Sequence, residues 1–169
     1  SLPDIRPQTK TTRKLAFLEL FKLPGFAAVV TVSALIQASH GALYGIGTLH
    51  WLEAGISESI IGLLWAQGVA AEVVLFAIGF WLLKKVGVKG LLWMAVIGGT
   101  IRWILLGWST DVGLLFTVQI LHAFTFAATH LAMTQYITQK VPDQLTASAQ
   151  TLYDALALGA LMGISMTLA

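Results

Sequence analysis

Between Leu63 and Leu83 the chain reads LLWAQGVAAEVVLFAIGFWLL, an almost unbroken apolar run with a single carboxylate, Glu72, near its centre. A run of this length matches the roughly 20 residues that a helix needs to cross a hydrocarbon core about 30 Å thick. Backbone amides and carbonyls find no water there, so such a run must be helical or part of a closed barrel. A charge at its centre is expensive in lipid, at least ~2.5–3.5 kcal/mol on insertion scales, and is retained only where it has a partner or a task.

Four more apolar segments share this character, giving spans at about 25–49, 60–83, 88–108, 112–136 and 145–169. Hydrophobic residues make up 57% of the chain and charged residues only 11%, against about 25% charged in an ordinary soluble domain. A soluble five-helix bundle would need polar faces at period 3.6, and these are missing. The expected fold is therefore all-α and integral to the membrane, a bundle of five transmembrane helices. The lipid bilayer is its solvent.

The basic residues orient the bundle. Arg6, Lys10, Arg13, Lys14 and Lys22 precede the first span; Lys84, Lys85 and Lys89 lie between the second and third; Lys140 follows the fourth. The intervening loops, HWLEAGISES and WSTDVG, carry Glu53, Glu58 and Asp111 and no Lys or Arg. Nine of the ten basic residues thus fall on one side, which the positive-inside rule makes cytoplasmic. Residues 1–24 read as a cytoplasmic linker or tail, and localisation in the cell (inner) membrane follows. The positive charge lies in short clusters beside apolar runs, a pattern that excludes nucleic acid as the partner. Trp51, Trp81 and Trp108 fall near span ends, where interfacial aromatics belong. With no cysteine, disulfides and thiolate metal sites are excluded. The chain starts without Met and ends inside an apolar run, so the expectation is a fragment whose final helix is missing.

The tenth basic residue, Arg102, lies within the third span, roughly 9 Å from its outer end at 1.5 Å per residue. Glu72 and His122 come out near the midplane, and a Glu72–Arg102 ion pair between helices is geometrically open. The first span carries Ser33, Gln37, His40, Tyr44 and Thr48 at spacings that keep one face. The fourth carries Gln119, His122, Phe126, Thr129, His130 and Met133, with Thr125 beside them. Such stripes either line a hydrated cavity or join helices by hydrogen bonds worth about 0.6 kcal/mol on average. Asp154 is a further charge, inside the fifth span or at its edge. Gly41 and Gly45, and Ala155, Gly159 and Gly163, read as small residues for close helix approach.

The order of these residues carries a resemblance. Glu72 in GVAAEVVLF, the basic loop KKVGVKG, Arg102 in GGTIRWILLG and His122 in LHAFTFAATHLAMTQYI together resemble the C-terminal half of major facilitator superfamily transporters. The similarity is to the group of lactose permease, nucleoside–proton symporters and phenylpropionate permeases, and covers about Leu23 to Ala169. It implies that the chain is most of one six-helix half, completed by an N-terminal half. The whole would be a secondary active transporter using alternating access, with a small organic solute such as an aromatic acid, and protons, as partners. No cofactor, catalytic residue or metal is implied. Substrate-binding or proton-coupling positions are then Glu72, Arg102, His122, His40, Gln37, Gln119, Thr125 and His130. Lactose permease has a proton-carrying glutamate three residues after its histidine; here that position is Thr125, which cannot carry a proton as a carboxylate would. Two other classes remain: an integral-membrane metalloenzyme using His40, His122, His130 and Glu72, and a non-transporting membrane subunit.

Overall fold

The computed structural model describes residues 13–169, with side chains from residue 16 onward; residues 1–12, and with them Arg6 and Lys10, lie outside the described residues. Every regular element among the described residues is helical. Helix α1 is Arg13–Lys22 and α2 is Phe26–Glu53. The continuous segment Glu58–Trp108 breaks at Gly87 into two arms, α3 (58–86) and α4 (88–108). Then come α5, Val112–Lys140, and α6, Asp143–Leu168. The segment expected to be linker or tail therefore contains a helix, α1. Ala16 and Leu20 of α1 are buried in one apolar cluster with Leu145 and Ala149 of α6.

A single residue makes the turn between α3 and α4. Gly87 has φ 67° and ψ −179°, a backbone region open essentially to glycine alone. The contacts on either side show a reversal. Along α3, Gln67 donates to the Phe116 carbonyl at 2.9 Å, Glu72 meets His122, and Gly79 lies against Leu131. Numbers rise together, so α3 and α5 run parallel. Along α4, Gly98 lies against Phe124 while Arg102 bonds Gln119, so α4 runs antiparallel to α5. Both arms pack on α5, which occupies the middle of the bundle.

Local chemistry sets the ends of α5. Asp111 Oδ1 accepts the Leu114 amide at 2.8 Å, an N-cap worth about 1 kcal/mol. At the other end Val141 is extended before Pro142, as steric contact with a proline ring requires. Three helices contain one wide, π-type turn, at Leu43–Gly47, Ala123–Ala128 and Ala155–Ala160. Such turns insert a residue and are frequent at functional sites.

Three apolar clusters hold the helices together. Near the turn joining α5 and α6, Phe26, Val30, Met133, Tyr136 and Tyr153 meet. At the opposite end Trp51, Ile61, Leu64, Leu106 and Leu115 meet. Between them Leu75 and Leu91 pack on Ala123, Ala127 and Ala128. Trp51 is a core residue, 1% exposed and 5.7 Å from the Trp65 ring, whereas the other two tryptophans expected at span ends, Trp81 and Trp108, are 59% and 84% exposed. Trp51 is near a helix end but on the side that faces the bundle, and depth alone does not separate these cases. Gly41 and Gly45 do meet α6, at Met162 and Met166, while Gly163 faces open space.

Large apolar side chains such as Val73, Val74, Phe80, Trp93 and Ile104 remain more than half exposed. Contiguous exposed apolar surface of this kind is foreign to a monomer in water. The fold also sorts charge by end: Lys22, Lys84, Lys85, Lys89 and Lys140 gather at one, Glu53, Glu58 and Asp111 at the other.

Candidate functional site

Midway along the bundle, α2, α3, α4 and α5 turn polar side chains toward one another. Glu72 Oε1 lies 2.5 Å from His122 Nε2. This is a charge-assisted contact: a carboxylate only accepts, so Nε2 carries the hydrogen. The second ring nitrogen, Nδ1, is buried without a partner. Glu72 is the more open member of the pair, at 15% side-chain exposure against 6% for His122. Gly68, one turn before Glu72, makes the approach feasible; a Cβ there would stand 3.2 Å from His122 Cδ2.

The expected direct Glu72–Arg102 ion pair is not what the structure contains. Arg102 is fully buried, and its guanidinium donates to Thr125 Oγ1 at 3.1 Å and to Gln119 Oε1 at 3.0 Å. Its Cζ lies 4.7 Å from the Trp103 ring centroid, within cation–π range. Gln119 is held in turn by donating to the Leu64 carbonyl at 3.1 Å. Glu72 instead bonds His122, so the buried cation and the carboxylate take separate partners within one cluster. The reason is angular: α3 and α4 reach α5 from opposite directions, which turns Glu72 to His122 and Arg102 to Gln119 and Thr125.

His40 closes the network. Its Nδ1 lies 3.1 Å from both the Ile36 and Gln37 carbonyls, and its Nε2 lies 3.0 Å from Thr125 Oγ1. Carbonyls only accept, so Nδ1 carries the hydrogen, and a neutral His40 then accepts at Nε2 from the Thr125 hydroxyl. Thr125 thus links α4, α5 and α2: it receives from Arg102 and bonds His40, while its hydroxyl also lies 3.2 Å from the His122 carbonyl. The His40 and His122 rings are 5.0 Å apart, and Phe126 lies 5.9 and 5.6 Å from them.

Of the eight sequence candidates, the structure brings Glu72, Arg102, His122, His40, Gln119 and Thr125 together. Gln37 adjoins the group, donating from Nε2 to the Phe126 carbonyl at 3.3 Å. His130 stays outside: it is exposed, with Phe76 and Tyr153 each 6.2 Å from its ring. Among the described residues no three His, Cys, Asp or Glu side chains gather around a common metal position. Sequence reasoning passed over Trp103 and Gly68. Their signals were present as the dipeptide Arg102-Trp103 and as a glycine four residues before the intramembrane carboxylate.

The profile of the MFS_1 like family matches residues 3–166. The chain belongs to that family, within the major facilitator superfamily. It is 37% identical over 130 residues to a protein of Escherichia coli (strain K12) described as a probable 3-phenylpropionic acid transporter. That alignment covers 77% of this chain and 34% of the relative, so the chain spans about a third of the relative's length. No solved structure matches. Membership of this family and the apolar helices make it a membrane protein.

Proposed function

We propose that the whole transporter couples inward movement of a small organic acid to protons by alternating access. In this reading the chain supplies five spans of the C-terminal half, and the other half closes the cavity from the open side of Glu72. The basic end faces the cytoplasm of a cell with the protein in its inner membrane, as the charge asymmetry supports. One observation carries the reading: a half-buried carboxylate paired with a buried imidazole shares a polar cluster with a fully buried arginine that has no carboxylate of its own.

The chemistry divides between two groups. Glu72 and His122 hold the coupling proton, with Nδ1 of His122 as the free position. Arg102 takes the substrate carboxylate, which forms stronger charge-assisted bonds than the neutral oxygens of Thr125 and Gln119. Trp103, Phe126 and Tyr44 stand around His40, with ring centroids at 5.5, 5.9 and 5.8 Å. They offer flat apolar surface to a ring, which favours an aromatic acid, the class named for the Escherichia coli relative.

The test is uptake by the full-length protein in proteoliposomes with 3-phenylpropionate. Glu72→Gln is expected to abolish accumulation driven by a pH gradient while leaving exchange at equal pH intact. Loss of exchange as well would assign Glu72 to substrate binding. Undiminished gradient-driven accumulation would remove Glu72 from the mechanism.

A further inference from the structure

Toward the basic end from the His40–Thr125–Arg102 chain, α2, α5 and α6 bury four more oxygen-bearing side chains. Ser33 and Gln37 lie one turn apart on α2, Thr129 is on α5 and Tyr153 is on α6; they are 0, 1, 0 and 3% exposed. Ser33 Oγ, Gln37 Oε1, Thr129 Oγ1 and the Tyr153 hydroxyl have no hydrogen-bond partner in the protein.

These groups converge on one junction. Gln37 Nε2 bonds the Phe126 carbonyl. Ser33 precedes Gln37 by four residues and Thr129 follows Phe126 by three. Since α2 and α5 run antiparallel, both steps lead one turn deeper in the same direction. Ala34, next to Ser33, and Met133, one turn beyond Thr129, share one apolar cluster with Tyr153.

The two small hydroxyls are fully buried and yet lack the backbone bond that several helical hydroxyls here make. Helical serines and threonines usually satisfy themselves on a carbonyl one turn back. Thr100, Thr117, Thr134 and Thr138 do so, at 2.9, 3.0, 2.9 and 3.0 Å. Ser33 and Thr129 do not, although both are fully buried. A buried polar group left dry costs about 1–3 kcal/mol, so four at one junction call for a guest. Hydroxyls give and accept, while Gln37 Oε1 accepts only. The set contains no carboxylate, and Arg102 is buried nearby. A metal cation would meet like charge and no anionic ligand. Water gives two hydrogen bonds and accepts two, and it fits a mixed set of this kind.

We propose that the α2–α5–α6 junction is an internal water site held by Ser33, Gln37, Thr129 and Tyr153. Its water extends the polar track from Gln37 to Tyr153, beside the exposed ring of His130. At 1.5 Å per residue, this track reaches about 12 Å along α5 from His122 to His130.

The experiment is radiolytic hydroxyl footprinting of the full-length protein in detergent, in which water held against a side chain makes radicals in place. Tyr153 is expected to label several-fold faster than Trp51, after correction for intrinsic reactivity. Trp51 is equally buried but lies in a wholly apolar cluster. Ser33→Ala and Thr129→Val should slow Tyr153 labelling and lower thermal stability, because the remaining oxygens lose their bridge. Thr129→Ser keeps the hydroxyl and should retain the labelling. Tyr153 protected as fully as Trp51 would overturn the proposal. So would a gain in stability in Ser33→Ala or Thr129→Val, the outcome for a dry junction relieved of an orphan group.

Discussion

Replacing Thr125 by Val keeps the side chain's shape and removes one oxygen, the oxygen on which the buried network turns. It accepts from Arg102 at 3.1 Å and bonds His40 Nε2 at 3.0 Å. Arg102 Nε already lacks a partner, so after the change only the 3.0 Å bond to Gln119 serves a fully buried cation. A hydrogen bond to a charged group contributes about 1.5–3 kcal/mol, while a neutral interhelical bond in a bilayer averages about 0.6 kcal/mol. The combined loss is therefore about 2–3.5 kcal/mol, and the arginine decides it. Thr125→Ser keeps the oxygen and deletes a methyl that faces Gly99, a loss of about 0.8 kcal/mol. The order of stability should be parent, then Ser, then Val. If packing alone mattered, the order of the two variants would reverse, since Val retains the methyl. Unfolding of the full-length protein in mixed micelles by SDS titration measures the order directly. Thr125→Val equal to or more stable than Thr125→Ser would refute the chain from Arg102 through Thr125 to His40.

Gly87→Ala should cost about 1–3 kcal/mol in the same titration, because φ 67° with ψ −179° is open essentially to glycine alone. Gly41→Val should lower stability by about 1–3 kcal/mol through overpacking: a Cβ at Gly41 would lie 2.6 Å from the Met162 carbonyl and 2.9 Å from Ser165 Cβ. Gly163→Ala, where nothing lies within reach, serves as the control and should change little. Single cysteines at Ser57 and Lys85, in a segment with no native cysteine, should react from opposite sides of intact cells, with Ser57 outside; labelling of both from one side would contradict the proposed orientation.

Different features of the bundle were legible to different degrees. Hydropathy is a sum over residues, so the apolar runs and the alternation of charge could be read without any geometry. The basic segment KKVGVKG, read as a loop, proved to be a near-continuous helical path broken at one glycine. Sequence gives depth along a helix well, at a fixed rise per residue, and it placed Glu72, Arg102 and His122 at compatible depths. It gives the angle about the helix poorly, and partners are chosen by angle. Two wide turns, at Leu43–Gly47 and Ala123–Ala128, change that angle within the two polar helices, and no residue in them announces the change. The same limit explains Trp51, which lies near its helix end as expected but faces the bundle rather than outward.

Pairing opposite charges is the natural expectation for two ions in a membrane, and its failure here is informative. A direct Glu72–Arg102 bond would satisfy each ion with the other, and a substrate or a proton would have to break it first. In the observed arrangement Arg102 rests on two neutral oxygens and an aromatic face, while Glu72 rests on an imidazole. Under the proposed transport, both charges stay balanced at a distance, so the empty cluster is tolerable in low dielectric. An arriving carboxylate can displace weaker neutral acceptors from Arg102. That adds a negative charge to the cluster, and a proton on the Glu72–His122 pair restores the balance. Under the same proposal Thr125, by holding Arg102 without neutralising it, makes substrate charge and proton charge answer to each other. A carboxylate at that position would carry a proton itself; a hydroxyl leaves that task to the neighbouring pair.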